Sequence, residues 1–232
     1  RPAVLAVDPS SSRSGGAILG DRMRMQGLGI PTGVFIRSLA SRGALGGLSQ
    51  VVPAALRALG TWGYDLALLE TVGVGQNEVD VLGVADTVVV VQSPGAGDEV
   101  QALKAGLLEI ADVYVLNKND LAGASAARAV LVDQAMRSAK GDWLPPVVST
   151  CATAGEGVEE LWSAIRQHHE WLTRSGALRE RRQRQLESEL VLAARAELDR
   201  RLRKTGLIKR FKAGEITQRE ALGELFGLID NS

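Results

Sequence analysis

Short apolar, β-branched runs alternate along this chain with segments whose apolar residues recur at helical spacing. Val4 to Asp8, Leu66 to Thr71, Thr87 to Gln92, Val113 to Asn117 and Val147 to Thr150 are bounded by Gly, Pro, Asp and Asn. Runs of this kind read as strands buried on both faces. The segments Gly33 to Arg42, Leu48 to Leu59, Gly97 to Ile110 and Ser125 to Lys140 read as helices. The alternation predicts an α/β fold, a mostly parallel sheet flanked by helices. After Thr150 the strands stop. Gly157 to Leu172 reads as the closing helix of the sheet domain, and Gly176 interrupts it. Leu178 to Arg203 then reads as a long Arg/Glu-rich helix, with Leu186, Leu190, Ala194, Leu198 and Leu202 four residues apart. That stripe is an apolar face in want of a partner surface. Ile216 to Ile229 is a second amphipathic helix. The expected division is a sheet domain over residues 1–174 and a helical arm over 175–232.

Composition sharpens this outline. With 232 residues, 45% of them hydrophobic, the chain can build one sizeable core with an appendage. Its 27 basic and 27 acidic residues cancel, but between Arg179 and Lys212 there are 12 basic residues against five acidic. Arg/Glu mixing without aromatic interleaving marks the solvated face of a long helix, so no nucleic-acid partner is expected. The single cysteine, Cys151, excludes an intramolecular disulfide and any multi-cysteine metal site. No apolar run approaches the roughly 18 residues of a membrane span, and no leader pattern opens the sequence, so a cytoplasmic protein without a membrane partner is expected. The chain opens directly on a strand without an initiator methionine, as a sequence entered part-way through a domain would. His168 and His169 lack ligand spacing to acidic partners and are expected at the surface or the edge of the core.

In an open parallel sheet, ligands sit beyond the carboxyl ends of the strands. The run Val113 to Leu116 leads into Asn117-Lys118-Asn119-Asp120, an N-K-x-D tetrad. There the Asp120 carboxylate would accept hydrogen bonds from guanine N1 and N2, a donor pair that adenine lacks. The Lys118 stem would cover the base, and Asn117 would tie neighbouring loops together. An ordinary polar turn is the plain alternative. After Val147 to Ser149, the pair Cys151-Ala152 stands where a turn would offer a backbone N–H to guanine O6. Glu70, at the tip of the Leu66 run, could hold a magnesium ion through water. Gly73 would let its N–H approach a terminal phosphate, and loss of that phosphate would release the loop. Asp8 and Asp21 flank a Ser/Gly-rich stretch, as a magnesium-linked mobile loop requires; a helix cap at Asp8 beside an exposed loop is the alternative.

The strings VLAVDPSS, GGAILGDRMRM, FIRSLASRGALGGLS, ETVGVGQNEVDV and QALKAGLLEIADVYVLNKND together resemble the methylmalonyl-CoA-mutase-associated GTPase family, the MeaB/ArgK/MMAA group. The resemblance implies a P-loop GTPase fold and hydrolysis of GTP to GDP with magnesium. It also implies service as chaperone to an adenosylcobalamin-dependent acyl-CoA mutase, gating cofactor delivery and protecting the mutase. It makes Asp8, Asp21 and Glu70 the magnesium and switch carboxylates, with Asp21 and Glu70 in the catalytic set. Gly73 then meets the γ-phosphate, and Asn117, Lys118 and Asp120 read guanine. Gly95 through Lys104 is similar to a further mobile loop coupling nucleotide state to the mutase, and the C-terminal helices are similar to a homodimerisation arm.

One departure is large: the family's G-x-x-x-x-G-K-[ST] loop, expected upstream of the DPSS strand, is absent from this sequence. That loop supplies the phosphate cradle, a phosphate-binding lysine and a magnesium-binding hydroxyl. The sequence therefore reads as part of a complete GTPase, with a central strand missing from its sheet. A non-hydrolysing dimeric interaction module is the alternative from another class, and an arginine-transport-associated kinase is an older reading of the same family.

Overall fold

The computed structural model describes residues 1–8, 34–40, 51–71, 83–95 and 108–227. By internal packing the chain divides into two compact units, Arg1–Gln185 and Leu186–Ser232.

The first unit contains two three-stranded parallel sheets. In one, β1 (Pro2–Asp8) lies between β2 (Phe35–Ala40) and β3 (Leu66–Thr71). Ala3, Leu5, Ala6 and Val7 of β1 are all buried, so both faces of the strand are covered, as its unbroken apolar run requires. Helix α1 (Val51–Thr61) contributes Val52 and Leu59 to the same core, alongside Leu39, Leu56 and Leu69. In the other sheet, β5 (Val113–Leu116) lies between β4 (Val89–Gln92) and β6 (Val147–Ser149). All four residues of β5 are buried, and helix α2 (Ala124–Arg137) packs Leu131 and Ala135 into that core.

Three sequence expectations change. Within the segment expected as a helix from Gly33 to Arg42, the described residues Phe35–Ala40 form a strand instead, pairing in parallel register with β1 from Ala3↔Phe35 to Asp8↔Ala40. Phe35 and Leu39, four apart, suggest a helical face, but four is also a multiple of the strand period of two. The predicted strand from Thr87 starts instead at Val89. Thr87 and Val88 spend their polar groups on His168 and on the Asp112 carboxylate. His168 is fully buried rather than peripheral. It shares the inner face of α3 (Val158–Ser175) with Ala164 and Leu172, at successive four-residue steps.

Gly176, with φ 81°, separates α3 from the long α4 (Ala177–Thr205), none of whose residues is fully buried. Two shorter helices follow, α5 (Leu207–Lys212), which the sequence pattern did not announce, and α6 (Gln218–Phe226). A reciprocal Thr217–Glu220 capping box starts α6, and Arg210 on α5 grips Glu224 on α6 through two hydrogen bonds. No described helix is long and apolar enough to cross a membrane.

Candidate functional site

Because β4, β5 and β6 are parallel, their carboxyl ends share one edge of the sheet. The loops leaving that edge are stitched together by main-chain bonds: the Asn117 N–H donates to Gln92 O at 2.8 Å, Thr150 N–H to Leu116 O at 2.8 Å and Asn119 N–H to Thr150 O at 3.1 Å. Asn117 adds a side-chain tie. Its Oδ1 accepts from the Thr150 hydroxyl at 3.2 Å and from the Ala152 N–H at 3.1 Å. One amide thus joins the loop after β5 to the loop after β6.

The next residue turns the chain. Lys118 has φ 56° and, among the described residues, is the one non-glycine in the left-handed region. That conformation costs a residue with a Cβ roughly 1–2 kcal/mol, so a surrounding structure must hold it. The Leu121 N–H closes the turn on Lys118 O at 3.0 Å. Lys118, Asn119 and Asp120 are left exposed, with Asn117 half-buried behind them.

The opposing loop is closed on itself. Cys151 and Glu156 exchange two main-chain hydrogen bonds, at 3.0 and 3.2 Å, and the Cys151 thiol lies buried 3.5 Å from the Thr153 hydroxyl. Gly157 then starts α3 with φ 75°, where a Cβ would lie 2.1 Å from Ser149 O. Only glycine fits that crossing. Thr150 and Gly157, not singled out from the sequence, therefore shape this edge as much as Asn117 does. Their signals were a hydroxyl at the end of a strand and a glycine immediately before a helix.

The other candidate residues are less completely placed. Asp8 ends β1, two residues beyond Ala6, whose partner across the sheet is Glu70 of β3. Glu70 itself is exposed. The Asp8 side chain, Asp21, Gly73 and the stretch from Ala96 to Lys104 lie outside the described residues. Among the described residues no cluster of three or more His, Cys, Asp or Glu is disposed to hold a metal.

A family model, Methylmalonyl Co-A mutase-associated GTPase MeaB, matches residues 1–206. The chain belongs to the MeaB family. Its relatives include a Pyrococcus abyssi protein named as a GTPase, 49% identical over 81% of this chain and 59% of its own length. GTPase ArgK of Escherichia coli is 37% identical over 98% of this chain and 72% of its own. A crystal structure titled LAO/AO transport system kinase shares the fold with a TM-score of 0.66 at 29% identity, over 98% of this chain and 71% of that one. The MeaB-family chain described here spans about three-fifths of the length of the first curated relatives it matches.

Proposed function

We propose that this chain carries the guanine-reading and switch portions of a magnesium-dependent GTPase, one that hydrolyses GTP to GDP and phosphate while acting as chaperone to an adenosylcobalamin-dependent acyl-CoA mutase such as methylmalonyl-CoA mutase. The observation that carries this reading is the Asn117 tie to Thr150 and Ala152, with Lys118 turned sharply beside it. A preformed, hydrogen-bonded loop pair at the carboxyl edge of a parallel sheet suits a planar base.

In this reading Asp120 accepts the guanine N1 and N2 donors and the Lys118 stem covers the ring. Guanine O6 takes over the Ala152 N–H that Asn117 now holds, and buried Cys151 fills the turn behind it. Asp8, Asp21 and Glu70 are the carboxylates that would hold magnesium, which neutralises charge on the phosphates when bound. Gly73 offers its backbone N–H to the γ-phosphate. The phosphate cradle comes from sequence outside these 232 residues. Two apolar sheet edges support this: Leu68 on β3 is 48% exposed and Val91 on β4 is 57% exposed, which suits a strand not included here. Residues 1–174 form the nucleotide domain and 175–232 a homodimerising arm, in a cytoplasmic protein.

Replacing Asp120 with Asn tests the guanine assignment, because the amide presents a donor where a guanine donor points. In the full-length protein Asp120→Asn should shift binding preference from GTP towards XTP. Unchanged preference in competition binding would refute the role. The likeness to the LAO/AO transport system kinase supports the second reading, an arginine-transport-associated kinase; phosphoryl transfer to a protein acceptor, in place of release of inorganic phosphate, would favour it.

A further inference from the structure

At the amino end of β5, opposite the guanine-reading loop, lies a buried ionic knot. The Asp112 carboxylate, fully buried, accepts from both terminal nitrogens of Arg181 at 2.7 and 3.1 Å, from Lys140 Nζ at 2.8 Å and from the Val88 N–H at 2.9 Å. Burial alone would raise its pKa, but the Arg181 hydrogen bonds and the charges of Arg181, His168 and Lys140 hold it below the ordinary value. The Asp112 main chain is gripped as well, its N–H by Val88 O and its carbonyl by Trp143 Nε1, each at 2.9 Å.

Arg181 belongs to the first turns of α4, and it does not act alone. Arg182 pairs with Asp86 at 3.0 Å, Gln185 donates to Ala85 O at 3.0 Å and Arg181 also reaches Asp86 O. No residue of α4 is fully buried, and its root, which lies within the first unit, is held by these directional polar contacts. A buried ion pair is weak evidence of net stability, because desolvation offsets most of its attraction. It does fix geometry, since a fork on a carboxylate tolerates little rotation. Between this joint and Asn117 runs only β5, four buried residues in a sheet. A rigid element of that kind can carry a displacement from one end to the other.

Resting on the guanine assignment, we propose that the Asp112–Arg181 pair is a joint coupling occupancy of the Asn117–Asp120 loop to the setting of the root of helix α4. Arg181 is thus a positioning residue for guanine binding, acting through Asp112 and β5. By linkage, the factor by which nucleotide steadies the helix root equals the factor by which the root tightens nucleotide binding.

The test is hydrogen–deuterium exchange over residues 177–190 of the full-length protein, with and without GDP, paired with GDP titration calorimetry. In the wild type, GDP should slow exchange there by about fivefold or more, the lower end of ordinary coupling factors. Arg181→Met keeps the stem and leaves Asp112 held by Lys140 and Val88. It should abolish the GDP-dependent slowing and weaken GDP binding by the same factor, while Arg181→Lys should recover part of both. A merely structural arginine would give faster exchange in Arg181→Met with the GDP-dependent ratio intact; that result overturns the joint, as does GDP binding to the wild type with no change in the helix root. Failure of the wild type to bind GDP overturns the guanine assignment and the joint with it.

Discussion

Gly157 shows how a single residue can set the shape of this site. With φ 75° and a Cβ position 2.1 Å from Ser149 O, it lets α3 begin directly against the end of β6. Gly157→Ala should cost about 2 kcal/mol or more from backbone strain and overlap, read as a lowered midpoint of thermal unfolding. Because the displaced segment carries Thr150 and Ala152, GDP binding should weaken too; a variant as stable as the wild type would contradict this placement. His168 makes a second residue-scale prediction. Its ring is buried, with Nδ1 2.9 Å from the Thr87 hydroxyl and Nε2 3.5 Å from the Asp112 carboxylate. Burial pushes its pKa down from 6.5 to about 4 against the pull of Asp112, with Arg181, Lys140 and His169 pushing the same way as burial. The unfolded chain therefore takes up this proton before the folded one does. Stability should be complete above pH 6.5, fall by on the order of 3 kcal/mol as pH drops towards 4, and then lose little further from this group. Asp112, also depressed, contributes above its ordinary 3.8 and is lost only below that, outside the window. Unfolding calorimetry from pH 7 to 4 checks this, since His168→Gln should flatten the profile over that range. Of these residues the sequence announced Asn117, Lys118 and Asp120, because their chemistry is local to one tetrad. It was silent on the Asp112 knot, whose partners Arg181, Lys140 and His168 come together only on folding.

Among the elements, strands with short apolar runs were legible: β3 spans Leu66–Thr71, as its pattern implies, and β5 and β6 each end one residue earlier than expected. β2 was not, because a six-residue segment containing Arg37 and Ser38 has no long apolar run, and its strand character comes from pairing with β1. Helix α4 was legible in length, and its stripe is solvent-facing at Leu186, 62% exposed, and Leu190, 71%, with Val191 beside them 66% exposed, while Leu198 and Leu202 are half-buried. A helix face of this size wants a partner, and a second copy of the arm is the proposed one. Leu190→Glu should shift the full-length protein towards monomer in light scattering, leaving Arg181, Arg182 and Gln185 in place at the root. An unaltered dimer would refute this face as its interface. Truncation after Arg174 is a poorer test, since it also strips Asp112 of Arg181.

Over the whole molecule, charge and chemistry divide along the chain. The basic excess gathers between Arg179 and Lys212, where Glu197 is held down to about 2 by hydrogen bonds from Arg200 and Arg201 and Asp199 pairs with Arg203. Arg200, Arg201 and Arg203 are thus spent within the helix itself, as a solvated face requires. In the proposed reading the guanine end of the pocket lies within these residues and the phosphate end on further sequence, for which the longer relatives have room. Recognition of the base is therefore the deciding step. Calorimetric titration of the full-length protein with GDP should give one saturable binding event per chain, suppressed in Asp120→Asn and restored there by XDP. No heat with GDP, or equal heats for GDP in wild type and Asp120→Asn, would contradict it.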